Sequence, residues 1–72
     1  MQTLVNAAVS LRNTGTLQDP DYRYIAKITK IGDLNGIIYR TEPYVKRDDA
    51  VRELNQYLQT PGGSVYLAKW IS

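Results

Sequence analysis

Acid–base chemistry in this chain would have to come from seven carboxylates, Asp19, Asp21, Asp33, Glu42, Asp48, Asp49 and Glu53, because it contains neither histidine nor cysteine. A catalytic carboxylate pair needs two such groups converging on one cleft with their pKa values driven apart. Each of the seven has a simpler role. Asp19 and Asp21 flank a proline turn, Asp33 opens a hairpin, and Asp48 or Asp49 can cap a helix. Glu42 can pair with Lys27 or Thr29 across strands, and Glu53 falls on the solvent side of the helix. Ser10, Ser64 and Ser72 have no histidine to activate them and no lysine at a recognisable motif spacing. Gly62-Gly63 leads into a strand, whereas a phosphate-cradling loop leads into a helix. Asp19-Pro20-Asp21 and Asp48-Asp49 lack the oxygen-ligand series of a calcium loop. The expectation is a protein with no catalytic residues, no metal and no cofactor.

Residues 1–72 suffice for one small domain. A chain of this size buries only about 60% of its unfolded surface, so either its core is efficient or association adds stability. A net charge of +2 and a pI near 9.0 are compatible with anionic partners. Hydrophobic content of 43% argues against disorder. No apolar run approaches the roughly 20 residues of a membrane helix. The opening Met1-Gln2-Thr3-Leu4-Val5 has no basic segment followed by an apolar core. A cytoplasmic protein that does not contact membrane is expected.

The most legible element is a helix over residues 47–59, where Ala50, Leu54, Tyr57 and Leu58 form an apolar stripe. Thr60-Pro61-Gly62-Gly63 ends it. Residues 4–12 alternate apolar against polar and read as a strand, in preference to a helix that would group Leu4, Ala8 and Leu11 and end at Asn13-Thr14-Gly15; a loop follows over residues 13–21. Two further strands, 22–31 and 37–45, flank Asp33-Leu34-Asn35-Gly36, with Asn-Gly as the hairpin turn. Residues 64–71 form a last strand, both of whose faces are apolar. The order is β-β-β-α-β, an α+β fold of one antiparallel sheet of about four strands packed on a single helix.

Either form of the Asn-Gly turn sets even residues of the second strand on one face with odd residues of the third. Tyr22, Tyr24, Ala26 and Ile28 then lie under the helix with Ile37, Tyr39, Thr41 and Val45. The other face holds Arg23, Ile25, Lys27, Thr29 and Ile31 with Ile38, Arg40, Glu42 and Tyr44. Pro43 removes a ladder donor and marks an edge or a bulge. A solvated sheet face usually turns polar, yet this one mixes isoleucine and tyrosine with cations, and Lys46 and Arg47 extend the charge past the strand. The expected binding surface is Arg23, Ile25, Lys27, Ile38, Arg40, Tyr44, Lys46 and Arg47, with Arg40 and Tyr44 dominant.

Two classes of partner suit such a surface. The first is a larger protein with an acidic surface, which this chain would occupy as a small adaptor, linker or inhibitor. The alternative is nucleic acid, with cations on phosphates and tyrosines against bases or sugars. The three-strand-plus-helix layout resembles the arm domains of phage integrases, which implies a sheet entering the major groove. In the order of Tyr22-Arg23-Tyr24, Pro43-Tyr44 before the helix, and Gly62-Gly63 before the final strand, the chain is also similar to the small basic linker domains of phycobilisomes. That resemblance implies action by binding larger proteins. Here the helix is about a turn longer, and the first twenty residues have no counterpart. The first and last strands, as uncovered edges, also lead to the expectation of a homodimer.

Overall fold

Alternating apolar and small polar residues make Thr3–Asn13 a long strand, β1. The β-branched and aromatic residues of Tyr22–Lys30 (β2) and Asp33–Arg40 (β3) extend it as an antiparallel meander. Helix α1 spans Arg47–Leu58 and a short strand, β4, spans Tyr66–Trp70. The computed structural model describes residues 1–71, the side chain of Leu34 excepted. The chain is α+β, with the expected element order and a four-stranded sheet in the order β3-β2-β1-β4. One strand departs in direction: β4 runs parallel to β1, so the sheet is mixed. The chain leaves β3 at one edge, crosses β2 and β1 through α1, and returns as β4 at the other edge. A parallel placement requires a crossover of that length. β1, expected at an edge, is therefore interior, and the edges are β3 and β4.

The apolar stripe of α1 lies over β2 and β1. Leu54 and Ala50 are buried there with Val5, Ala7, Ala26 and Ile28. Three of these six are alanines, and their small side chains let the helix backbone approach the sheet closely. Tyr24, Tyr39, Tyr57 and Tyr66 pack around this centre and close its flanks. Asp48 and Asp49 sit in the first turn, where their charge complements the helix dipole, but neither caps it. Lys46 holds the capping position without a side-chain bond, and its carbonyl accepts the Asp49 N–H at 3.2 Å. At the other end the Thr60 hydroxyl donates to the Tyr57 carbonyl at 2.6 Å, and the Ser64 N–H donates to the Thr60 carbonyl at 2.8 Å.

The β2–β3 reversal comes earlier than Asn35-Gly36. Lys30 and Asp33 pair directly across a two-residue turn, Ile31-Gly32, in which Gly32 has φ 80°. A turn with positive φ at its second central residue needs glycine there, and Gly32 meets that need as well as Gly36 would. Asn35-Gly36 instead falls inside β3, where the Asp33 carboxylate accepts the Asn35 N–H at 3.0 Å. The ladder slips on both sides of Thr29, and that slip decides which side chains reach each face.

Candidate functional site

Among the described residues, α1 is on one side of the sheet and no second helix or sheet covers the other. Because side chains alternate along a strand, the residues between the core positions of β1 and β2 point there. Across this face Arg12 lies opposite Arg23, Ser10 opposite Ile25, Ala8 opposite Lys27 and Asn6 opposite Thr29. On the β4 side Leu4 is beside Leu67 and Asn6 beside Lys69, and on the β3 side Lys27 is beside Arg40 and Thr29 beside Ile37. The middle is a low floor of small residues, Asn6, Ala8 and Ser10. One end exposes Leu4, Ile37 and Leu67, each about half accessible.

Two cation pairs, Arg12 with Arg23 and Lys27 with Arg40, stand directly across from each other. Like charges so placed repel. Asp21 relieves one of them: its two oxygens take the Arg23 Nε and Nη2 donors at 2.9 and 3.0 Å. This fork, first by hydrogen bonding and then by charge, holds the Arg23 pKa above its usual value. Among the described residues the other ion pair is Arg52–Asp49 on the helix, which leaves Arg12, Lys27, Arg40 and Lys69 without carboxylate partners.

Ile25, only 6% exposed, is the floor of a hollow of about 340 Å³ at one end of this face. Arg12 and Thr14 stand on its β1 side, and Arg40, Thr41, Glu42 and Pro43 on its β3 side. Thr41 keeps the β2–β3 ladder intact where the strand pulls away. Its N–H donates to the Ala26 carbonyl at 2.9 Å, and its hydroxyl accepts the Ala26 N–H at 3.0 Å.

Four of the eight expected site residues, Arg23, Ile25, Lys27 and Arg40, share this face. The other four do not. Ile38 is the extra residue where the ladder slips between Ile28↔Tyr39 and Thr29↔Ile37, and it packs against the core while Ile37 takes the outer position. Tyr44 bridges to Tyr24 and also packs against the core, because Thr41-Glu42-Pro43 inserts an additional residue after Arg40. Lys46 stands at the N-cap position of α1 without a side-chain bond, and Arg47 lines a separate groove with Val51, Asn55, Trp70 and Ile71. Sequence reasoning missed Arg12, Thr14, Leu4, Leu67 and Lys69. The signal was the polar half of β1's alternation, Asn6, Ala8, Ser10 and Arg12, which continues the outer face.

Aromatic side chains are absent from the outer face among the described residues. Tyr24, Tyr39, Tyr44, Tyr57 and Tyr66 surround the core, and Tyr22 and Trp70 share their sides by alternation. Glu53, read as solvent-facing, accepts the hydroxyls of both Tyr39 and Tyr44. That bond, with burial and the Glu53 charge adding to it, pushes the Tyr39 pKa up to about 12, and the Tyr44 hydroxyl is raised by the same first cause. Among the described residues there is no cluster of three carboxylates placed to hold a metal ion, and no helix long and apolar enough to cross a membrane. Ser10 lies on the outer face, Ser64 donates to the Pro61 carbonyl at 3.3 Å, and Ser72 is outside the described residues. Comparison with known protein families, curated proteins and solved structures finds no match.

Proposed function

We propose that this chain is a non-catalytic binding protein that occupies an acidic surface of a larger protein through the uncovered face of its sheet. The observation that carries this reading is the pair of cross-strand cation couples, Arg12–Arg23 and Lys27–Arg40, on that face. Asp21 offsets the first couple from within the chain, but Lys27 and Arg40 have no carboxylate partner among the described residues. Their repulsion costs the free protein stability, and an anionic partner removes that cost. The exposed Leu4, Ile37 and Leu67 supply an apolar sector beside the charge, the composition of a protein interface. Nucleic acid suits this face less well, since among the described residues no aromatic ring is there to stack on a base.

The test is affinity capture from a source lysate, with and without nuclease, using the wild-type chain and a Lys27→Glu/Arg40→Glu variant. A protein partner that survives nuclease treatment and is lost with the variant supports the reading. A partner released by nuclease, with affinity falling steeply as salt rises, replaces it with phosphate binding.

A further inference from the structure

The hollow over Ile25 has a more specific chemistry than the face around it. Arg12 and Arg40 enter from the two strands flanking β2, and neither has an ion-pair partner among the described residues. The hydroxyl donors of its walls are already engaged. The Thr14 hydroxyl donates to the Asp21 carbonyl at 2.9 Å, and the Thr41 hydroxyl donates to the Glu42 carbonyl at 3.0 Å. The two guanidiniums are therefore the donors left for a ligand, each a planar fork suited to two acceptor oxygens.

Resting on the protein-binding reading above, we infer that this hollow receives one carboxylate side chain of the partner, a glutamate. Charge sets the class. Two guanidiniums and the Glu42 carboxylate leave the hollow with a net charge of +1 by formal count. That matches one carboxylate. A phosphate group, at about −1.5 to −2, would bring an excess of negative charge against Glu42. Shape sets the residue. Ile25 and Pro43 give the hollow apolar floor and wall, which the two methylenes of glutamate cover while its carboxylate meets the arginines.

The experiment is an NMR titration of the isotope-labelled full chain with N-acetyl-glutamate-N-methylamide at constant ionic strength. The glutamine analogue and inorganic phosphate serve as comparison probes. Saturable shifts are expected at the amides of Thr14, Ile25, Thr41 and Glu42 and at the side-chain N–H groups of Arg12 and Arg40. Binding should weaken about tenfold or more in either Arg12→Gln or Arg40→Gln, the scale of one charge-assisted contact. The glutamine analogue should leave those signals unmoved. Both arginines are exposed, so unchanged core amides at Val5, Ile28 and Leu54 verify that the variants are folded. Tighter binding of phosphate at the same residues overturns the inference. So do unsaturable shifts spread equally over Arg12, Lys27, Arg40 and Lys69, a result that leaves the face as a binding surface. Loss of the captured partner on nuclease treatment would instead remove the protein-binding reading beneath it.

Discussion

The Tyr44 hydroxyl donates to one carboxylate oxygen of Glu53 at 2.7 Å, while the Tyr39 hydroxyl donates to the other at 2.8 Å. Tyr39 also stacks on Tyr57, with ring centroids 3.8 Å apart and planes within 5°. One helix residue thus ties down the edge strand and the irregular chain that follows it. Glu53→Ala strands two partly buried hydroxyls and should destabilise the fold by about 1–3 kcal/mol, the range for leaving a buried polar group without its partner. Urea denaturation measures this. An unchanged midpoint would mean that water replaces the carboxylate without cost.

The same cluster makes stability fall at high pH. Tyr39 is raised from 10.0 to about 12 in the folded chain. Below pH 10 both states keep its proton. Between pH 10 and about 12 the unfolded state loses it while the folded state holds it, so the stabilisation is lost progressively across that window. Tyr44, raised by the same carboxylate, acts in the same direction. Tyrosinate absorbance of the folded protein should show late-titrating groups that return toward pH 10 in Glu53→Gln, and the thermal midpoint should drop as pH rises past 10.

The sequence carried the helix, the strands and the core face of β2, because the period-two and period-3.6 patterns there are uninterrupted. It carried the face of β3 only where the ladder is regular. Even stands against odd at Ile28↔Tyr39 and Lys27↔Arg40, as the turn argument requires. The slip beside Thr29 exchanges Ile37 and Ile38, and the detour at Thr41-Glu42-Pro43 sends Tyr44 inward. Pro43 announced an irregularity without announcing its direction. The parallel placement of β4 was hidden for another reason: period-two alternation reads the same in either strand direction, and β4's neighbour in the sheet, β1, is far away in the chain.

Leu54 is fully buried at the centre of the core. Leu54→Ala should cost about 2–5 kcal/mol, through lost transfer energy and the cavity left behind. With so small a core, calorimetry should find much of the chain unfolded at room temperature.

The two neighbouring glycines after α1 are not equivalent. A Cβ on Gly63 would sit 2.7 Å from the Tyr57 carbonyl carbon and 3.0 Å from the Leu58 Cα, both backbone atoms, whereas one on Gly62 meets nothing within 4 Å. Gly63→Ala should therefore destabilise by about 1–3 kcal/mol as the helix exit is forced outward. Gly62→Ala should change stability by no more than about 0.5 kcal/mol. Thermal melts of the two variants side by side decide the point, and equal midpoints would show that the close packing of Gly63 is dispensable.

Arg40 and Tyr44 lie four residues apart on opposite faces, so their substitution should separate binding from folding. Arg40 is exposed, lies directly across from Lys27, and has no ion pair among the described residues. Arg40→Ala removes a repulsion in the free protein. Stability should stay within about 0.5 kcal/mol or rise slightly. Partner affinity should fall by more than about 1–2 kcal/mol, because an unpaired guanidinium is lost from the proposed surface. Tyr44→Phe keeps the ring against the core and deletes only the bond to Glu53. It should lower stability slightly, through loss of that one bond, and leave affinity unchanged. Denaturation curves and calorimetric titration of the captured partner read the two quantities independently. If Arg40→Ala unfolds the chain while Tyr44→Phe abolishes binding, the functional surface lies on the helix side, around Glu53 and the end of β3.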